Sequence, residues 1–408
     1  MNFLFAWRYF KAKKSTNAIN IIAWISMVAI MCITFAFVVV LSVFNGFEGL
    51  VKSLYSSFYP HVLISPKAGT KTITVSPEQW KQLSAVKDVV SYTAVVEEKT
   101  LLLNGDIQQP VVLKGVDSAY TRVTGVADNM IRGEFNTGDA ARPFIVLGNG
   151  VEGALGVQSD KNIFPLLAYI FKGGASANVM DLYGSVATEN ISTAGAFLIQ
   201  ADIDNKYAIT NIDFMRHMLS LKDNECSHIE VAVSDESKAD AASKAIRQLF
   251  GDGYVVETRY EQNKSLYSVM TLEKWAIYGI LTLMLIVAAF TMIGGLTMLV
   301  LEKQKDIQVL KAMGANRGLI QKIFLSEGLL LAGIGAIAGI VLAVIFCWAQ
   351  VQFELIKLEG GTFLINYYPV KLVAGDFLLV VVTVFLVAFI ASWFPSRKAA
   401  LQPIELKS

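Results

Sequence analysis

Side chains able to carry covalent or metal chemistry are too dispersed in this sequence to act together. The histidines His61, His217 and His228 stand far apart, and no HExxH or CxxC spacing supplies the short separations of a zinc site. Of the cysteines, Cys32 and Cys347 lie in apolar runs and Cys226 is alone in a polar region, so no disulfide framework is legible. There is no Gly-x-Ser-x-Gly elbow. There is also no Gly-Lys dipeptide, and hence no phosphate loop of the Gly-x-x-x-x-Gly-Lys-Ser/Thr type. The expectation is a non-enzymatic chain with no catalytic residue, no metal and no cofactor of its own.

One stretch keeps functional character: "EKQKDIQVLKAMGANR", residues 302–317, set between two runs of nearly pure hydrocarbon. Wound as a helix, Ile307, Val309, Leu310 and Met313 fill an arc of roughly 160°, opposite Gln304, Lys305, Gln308 and Lys311. Glu302 and Asp306 form an acidic pair at its start, where the helix dipole favours them. Gly314 supplies a left-handed stop, and Asn316 can cap a second helix, "RGLIQKIFLSEG". From the residues alone this amphipathic helix could lie on a membrane surface or dock in a groove of another protein.

The elements around it are membrane spans. The chain has 408 residues, 54% hydrophobic and 17% charged, with a mean hydropathy of +0.50, too apolar for an ordinary soluble domain. A net charge of +1 gives no reason to expect a nucleic-acid partner. A span needs about 20 apolar residues, and four segments qualify, 18–44, 276–301, 328–350 and 372–394. The first follows a basic start (Arg8, Lys11, Lys13, Lys14) but is much longer than the ~7–15-residue apolar core of a signal peptide, and reads as an uncleaved anchor. Aromatic and basic residues alternate through 1–17, as expected of a cytoplasmic interfacial helix. Basic residues also mark the 302–327 connection and the 395–408 tail, so both termini are expected in the cytoplasm. The 45–275 segment and the 351–371 loop then lie outside.

The large external segment reads as α+β. "HVLISP" alternates as a strand, "SPEQWKQL" opens a helix with Ser76 as N-cap, and Asn104-Gly105 marks a hairpin turn. "HIEVAVSD", "ESKADAASKAIRQLF" with Gly251, and "YVVETRY" form a second strand-helix-strand unit. Residues 160–223 are less regular, with a glycine-rich loop at 172–185. They are expected to form a second subdomain inserted between the halves 45–159 and 224–275. In the third span, Gly335 and Gly339 form a GxxxG pair suited to close helix packing. Charged residues that could line an ion path are missing from the spans, and Asp376 is expected at the interface.

The stretch "EKQKDIQVLKAMGANRGLIQKIFLSEG" resembles the cytoplasmic connection of FtsX-like, MacB-type ABC-transporter permeases. "FLFAWRYFKAKKSTNAINIIAWISMVAI", "TRYEQNKSLYSVMTLEKWAIY" and "PSRKAALQPIEL" extend the likeness toward the lipoprotein-releasing LolC/LolE subfamily. The resemblance implies a permease without its own nucleotide site, coupled to a LolD-like ATPase subunit that binds ATP. It implies pairing with a second permease copy or paralogue in the bacterial inner membrane, release of lipoprotein, and delivery to a LolA-like periplasmic carrier. It makes Glu302, Asp306, Ile307, Leu310, Lys311, Met313 and Gly314 the ATPase-coupling residues, with Ile307, Leu310 and Met313 as docking anchors. It also implies a cavity for lipid tails between the two permeases, lined by spans one and two, with Phe37, Leu41, Phe44, Met284 and Met292 as lining candidates. The rival readings are a MacB-like exporter permease and an FtsX-like scaffold that activates a cell-wall hydrolase.

Overall fold

The computed structural model describes residues 17–67, 69–161, 164–171, 186–358 and 367–402. The expected interfacial helix before residue 17, the loop 172–185 and the end of the tail lie outside them. Four described helices are long and apolar enough to cross a membrane, and an α/β domain is inserted between the first and second. The chain divides into two compact units, one of Met1–Leu50, Ser268–Leu358 and Tyr367–Ser408, the other of Val51–Tyr267 and Glu359–Asn366.

The first helix, α1, runs Asn17–Phe58. The inserted domain follows, with strands β1 (Val62–Pro66) and β2 (Ile73–Thr74), helix α2 (Pro77–Ser84), and the hairpin β3 (Val89–Asn104) and β4 (Ile107–Val116). Next come β5 (Met130–Gly133), β6 (Phe144–Gly148), β7 (Leu166–Phe171), β8 (Val186–Phe197), β9 (Tyr207–Asn211) and α3 (Ile212–Leu219). The domain closes with β10 (Glu225–Cys226), β11 (His228–Val233), α4 (Ala239–Phe250) and β12 (Tyr254–Thr258). Local signals set these boundaries. Ser76 and Gln79 close a reciprocal capping box at α2, with Pro77 in the first turn. Gly105 takes φ +59° in the β3–β4 turn, and Gly251 takes φ +72° after α4.

A ten-stranded sheet forms the body, in the order β12-β1-β11-β3-β4-β9-β6-β8-β5, with β7 pairing β3 and β8. Its buried side packs Val62, Ile64, Val96, Leu113, Ile229 and Val231 against Met215 of α3 and Ile246 of α4. The separate subdomain expected over 160–223 does not form. Its strand β9 pairs in parallel with β4, Val112 opposite Tyr207, and β7 pairs with the distal half of β3, Leu101 opposite Tyr169. The long strand β3 explains the difference: Val89–Val95 bond to β11 and Thr100–Leu103 to β7, so one strand carries both halves into one sheet.

In the other unit, α5 (Lys264–Glu302) leads to the short helix α6 (Gln304–Ala312), then α7 (Arg317–Phe353) and α8 (Ala374–Leu401). These helices overrun the expected spans. Hydropathy marks the stretch that suits hydrocarbon, whereas helical hydrogen bonding continues into the polar residues beyond it. The GxxxG pair does what its spacing predicts. A Cβ on Gly335 would lie 2.7 Å from the Met27 carbonyl oxygen, and one on Gly339 would lie 2.5 Å from that of Met31, so α7 packs backbone to backbone on α1.

Candidate functional site

The stretch at 302–317 folds as predicted in its second half and differently in its first. Glu302 is the last residue of α5, and Lys303 stands at the N-cap position of α6. The expected acidic pair on one helix therefore does not form; Asp306 alone sits in the first turn of α6, with Lys303 Nζ donating to its Oδ2 at 2.9 Å. At the other end the Gly314 amide donates to the Lys311 carbonyl and the Ala315 amide to that of Leu310, both at 3.0 Å. With Gly314 at φ +95°, this is a complete Schellman stop. Asn316 Oδ1 accepts from the Leu319 amide at 2.8 Å and starts α7.

The apolar arc divides between two directions. Ile307 is 1% exposed, packed with Leu299, Val300, Ile320, Phe324 and Ala399, so it is held by α5, α7 and α8 together. Val309 is 59% exposed and Met313 75% exposed, with Leu310 half-buried between the two directions. At ~100° per residue, Lys305, Val309, Ala312 and Met313 share one face, turned well away from Ile307. Ile307 is thus a fastening inside this chain and not an outward anchor. Val309 is the outward residue missing from the sequence-based set of sites; its i, i+4 relation to Met313 was the available signal.

Lys311 has a role that the sequence did not disclose. Its Nζ donates to the carbonyl oxygens of Ala400, at 3.3 Å, and of Gln402. An ammonium at the carbonyl end of α8 satisfies orphan acceptors and complements the helix dipole. Ile307 and Lys311 therefore hold α6 to the ends of the spans while Val309 and Met313 face outward. The helix that carries that outward face is thus joined to three membrane helices by packed contacts.

Of the five proposed cavity residues, three meet in one packed core and two stand outside it. Phe37, Leu41 and Met292 are buried in the core of the bundle, Phe44 is half-buried, and Met284 is 52% exposed. Helix packing, including an edge contact of Phe37 on Tyr278 at 5.5 Å, accounts for the buried ones. An apolar groove of about 470 Å³ lies between α1 and α7, lined by residues such as Met31, Phe35, Ile345 and Phe346. At one end of the bundle, Asp376 is tied to Asn45 of α1 (2.5 Å) and to Lys274 of α5 (3.2 Å), a structural bond across three helices.

In the inserted domain, burial pushes the Cys226 thiol up to about 12, which leaves it inert as a nucleophile. No group of three or more His, Cys, Asp or Glu side chains among the described residues could hold a metal ion.

Known proteins place this architecture. The model of the MacB-like periplasmic core domain matches residues 23–249, and that of the FtsX-like permease C-terminal region matches 278–404. The lipoprotein-releasing system transmembrane protein LolC of Neisseria meningitidis serogroup B is 28% identical over 98% of this chain and 96% of its own. LolE of Haemophilus influenzae is 24% identical over 100% of this chain and 99% of its own. LolC of Xylella fastidiosa strain Temecula1 is 23% identical over 98% and 96%.

Proposed function

This chain belongs to the FtsX-like, MacB-type permeases, and from that premise we propose that it is the membrane subunit of an ABC transporter that releases lipoproteins from the bacterial inner membrane. A separate LolD-like subunit binds and hydrolyses ATP. The observation that carries the coupling role is the division of α6, with Ile307 and Lys311 fastened to span ends and Val309 and Met313 turned outward. The full-length likeness to LolC and LolE supports the cargo and weighs against the exporter and scaffold readings.

In this reading both termini and α6 face the cytoplasm, where basic residues concentrate, and the inserted domain is periplasmic. Closure of the ATPase moves α6 as a rigid body, and the attached helices shift with it. Lipoprotein leaves from the outer leaflet to a LolA-like carrier without crossing the bilayer, so the apolar spans need no polar path. Of the proposed lipid contacts, Phe44 and Met284 are the ones left accessible to a lipid tail by this packing.

Co-purification in mild detergent tests the assembly and identifies the second permease as a copy of this chain or a paralogue. Recovery of an ATPase is expected. Depletion should leave lipoproteins in the inner membrane, and their normal arrival at the outer membrane would overturn the cargo.

A further inference from the structure

The ten-stranded sheet has a second face, and it is charged. Directly paired residues project from the same side of a sheet. Leu63 lies opposite both Glu257 and Glu230, and Glu97 lies opposite Lys114. Neighbouring positions such as Ile64, Ile229 and Leu113 belong to the apolar core on the other side. The pattern therefore gathers three carboxylates and one ammonium on one surface.

They line a cavity of about 390 Å³ walled by the rings of Phe58, Tyr59 and Tyr207. Lys114 and Glu230 are 2% and 1% exposed, with Nζ 2.5 Å from Oε1, and the ammonium lies 4.6 Å from the Phe58 ring centre and 4.9 Å from that of Tyr120. His228 Nε2 sits 3.2 Å from the same carboxylate oxygen. Glu230 Oε1 thus has two partners while its buried Oε2 has none among the described residues. Gln262 repeats this pattern. Its Nε2 donates to the carbonyls of Pro60 and Glu257, and its buried Oε1 has no partner among the described residues. Neither Glu97 nor Glu257 has a cation within 4.0 Å among the described residues. The cavity therefore offers acceptors in excess, and its one resident cation is already paired.

We propose that this cavity receives the guanidinium of an arginine presented by a partner polypeptide. The carboxylates are too dispersed for a metal ion, as the lack of any metal-holding cluster among the described residues shows. A planar cation with five donors can reach acceptors on several strands at once. The aromatic walls suit it as well, since a guanidinium stacks on rings while its edge hydrogen-bonds.

The test uses the full chain in lipid nanodiscs and the peptide acetyl-Gly-Arg-Gly-amide, read by saturation-transfer NMR on the arginine side-chain protons. Binding is expected for this peptide and not for its glutamate counterpart. Glu97→Gln combined with Glu257→Gln should weaken it by ~10-fold or more, since hydrogen bonds between charged groups are the strong ones. These carboxylates are half-buried and outside the Lys114–Glu230 contact, and an unchanged melting temperature would show that the variant is folded. If it does not fold, Tyr59→Leu takes its place and should weaken binding by removing a ring wall. Absence of binding, equal binding of the glutamate peptide, or no loss in the folded variant would overturn the proposal. So would displacement of the peptide by glycerophosphoethanolamine, which would assign the cavity to a lipid amine.

Discussion

Ile307 lies within the short helix α6 and Met313 is its C-cap, and the two face different worlds: the first is 1% exposed and the second 75% exposed. The two should therefore fail differently. Met313→Asp or Val309→Asp places a charge on the outward face, and retention of the proposed ATPase partner in detergent should fall by ~10-fold or more. Melting of the isolated permease should not change. Ile307→Ala opens a cavity among three helix ends and should destabilise the permease by about 2–5 kcal/mol. Equal effects of Met313→Asp and Ile307→Ala on melting would refute the division.

Gly314 makes a sharper test of the helix stop. At φ +95° an L side chain is strained, by ~1–2 kcal/mol for the left-handed region. Gly314→Ala should lower ATP-driven lipoprotein release while leaving the chain folded. Gly314→Pro also removes the amide that bonds the Lys311 carbonyl, and should abolish release. Transport assays in reconstituted vesicles would decide, and full activity of the proline variant would exclude a rigid α6.

The stop at Gly314 and the cap at Asn316 were legible because both are local: a glycine at the left-handed position and a side chain that reaches three residues ahead. The four spans were legible for a similar reason, since hydropathy is a property of a continuous stretch. The direction of Ile307 was not. Periodicity groups residues on a face without saying which neighbour that face meets, and Ile307 meets residues as distant as Ala399. The parallel pairing of β4 with β9 was hidden in the same way, so residues 160–223 read as a separate piece. Likewise, nothing in "LKG" and "HIE" announces that Lys114 and Glu230 form a buried pair, because only the position of β3 between their strands brings them together.

Acidity should reveal Asp204, whose buried carboxyl is pushed up to about 6 although the Ile199 amide donates to both its oxygens at 2.9 and 3.2 Å. Because the folded value exceeds the unfolded one, the folded state holds the proton more tightly. Its contribution to stability is fully present below about pH 4, declines as pH rises toward about 6, and is constant above that. The size is about 1.4 kcal/mol for each unit between the two values. Denaturation midpoints of the full chain across pH 4–7 should show this slope, and Asp204→Asn should flatten it. Identical slopes would show that Asp204 is not the group responsible.

The last prediction concerns the bond across α1, α5 and α8. Asn45 Nδ2 donates to Asp376 Oδ2, Lys274 Nζ donates to Asn45 Oδ1 at 2.9 Å, and Lys274 lies 3.2 Å from Asp376 Oδ1, so each member contacts the other two. Such a closed set is non-additive, because loss of one member leaves two polar groups with poorer partners. Lys274→Met and Asp376→Leu should each destabilise, and the double variant should cost less than the sum, with a coupling of ~0.5–3 kcal/mol. Thermal unfolding in detergent measures this cycle. Additive losses would mean that Lys274 and Asp376 are each solvated separately and that the three helices are held by their apolar contacts alone. A positive coupling would instead identify the triad as a second tie of α1 to the bundle, beside its backbone packing on α7 at Gly335 and Gly339.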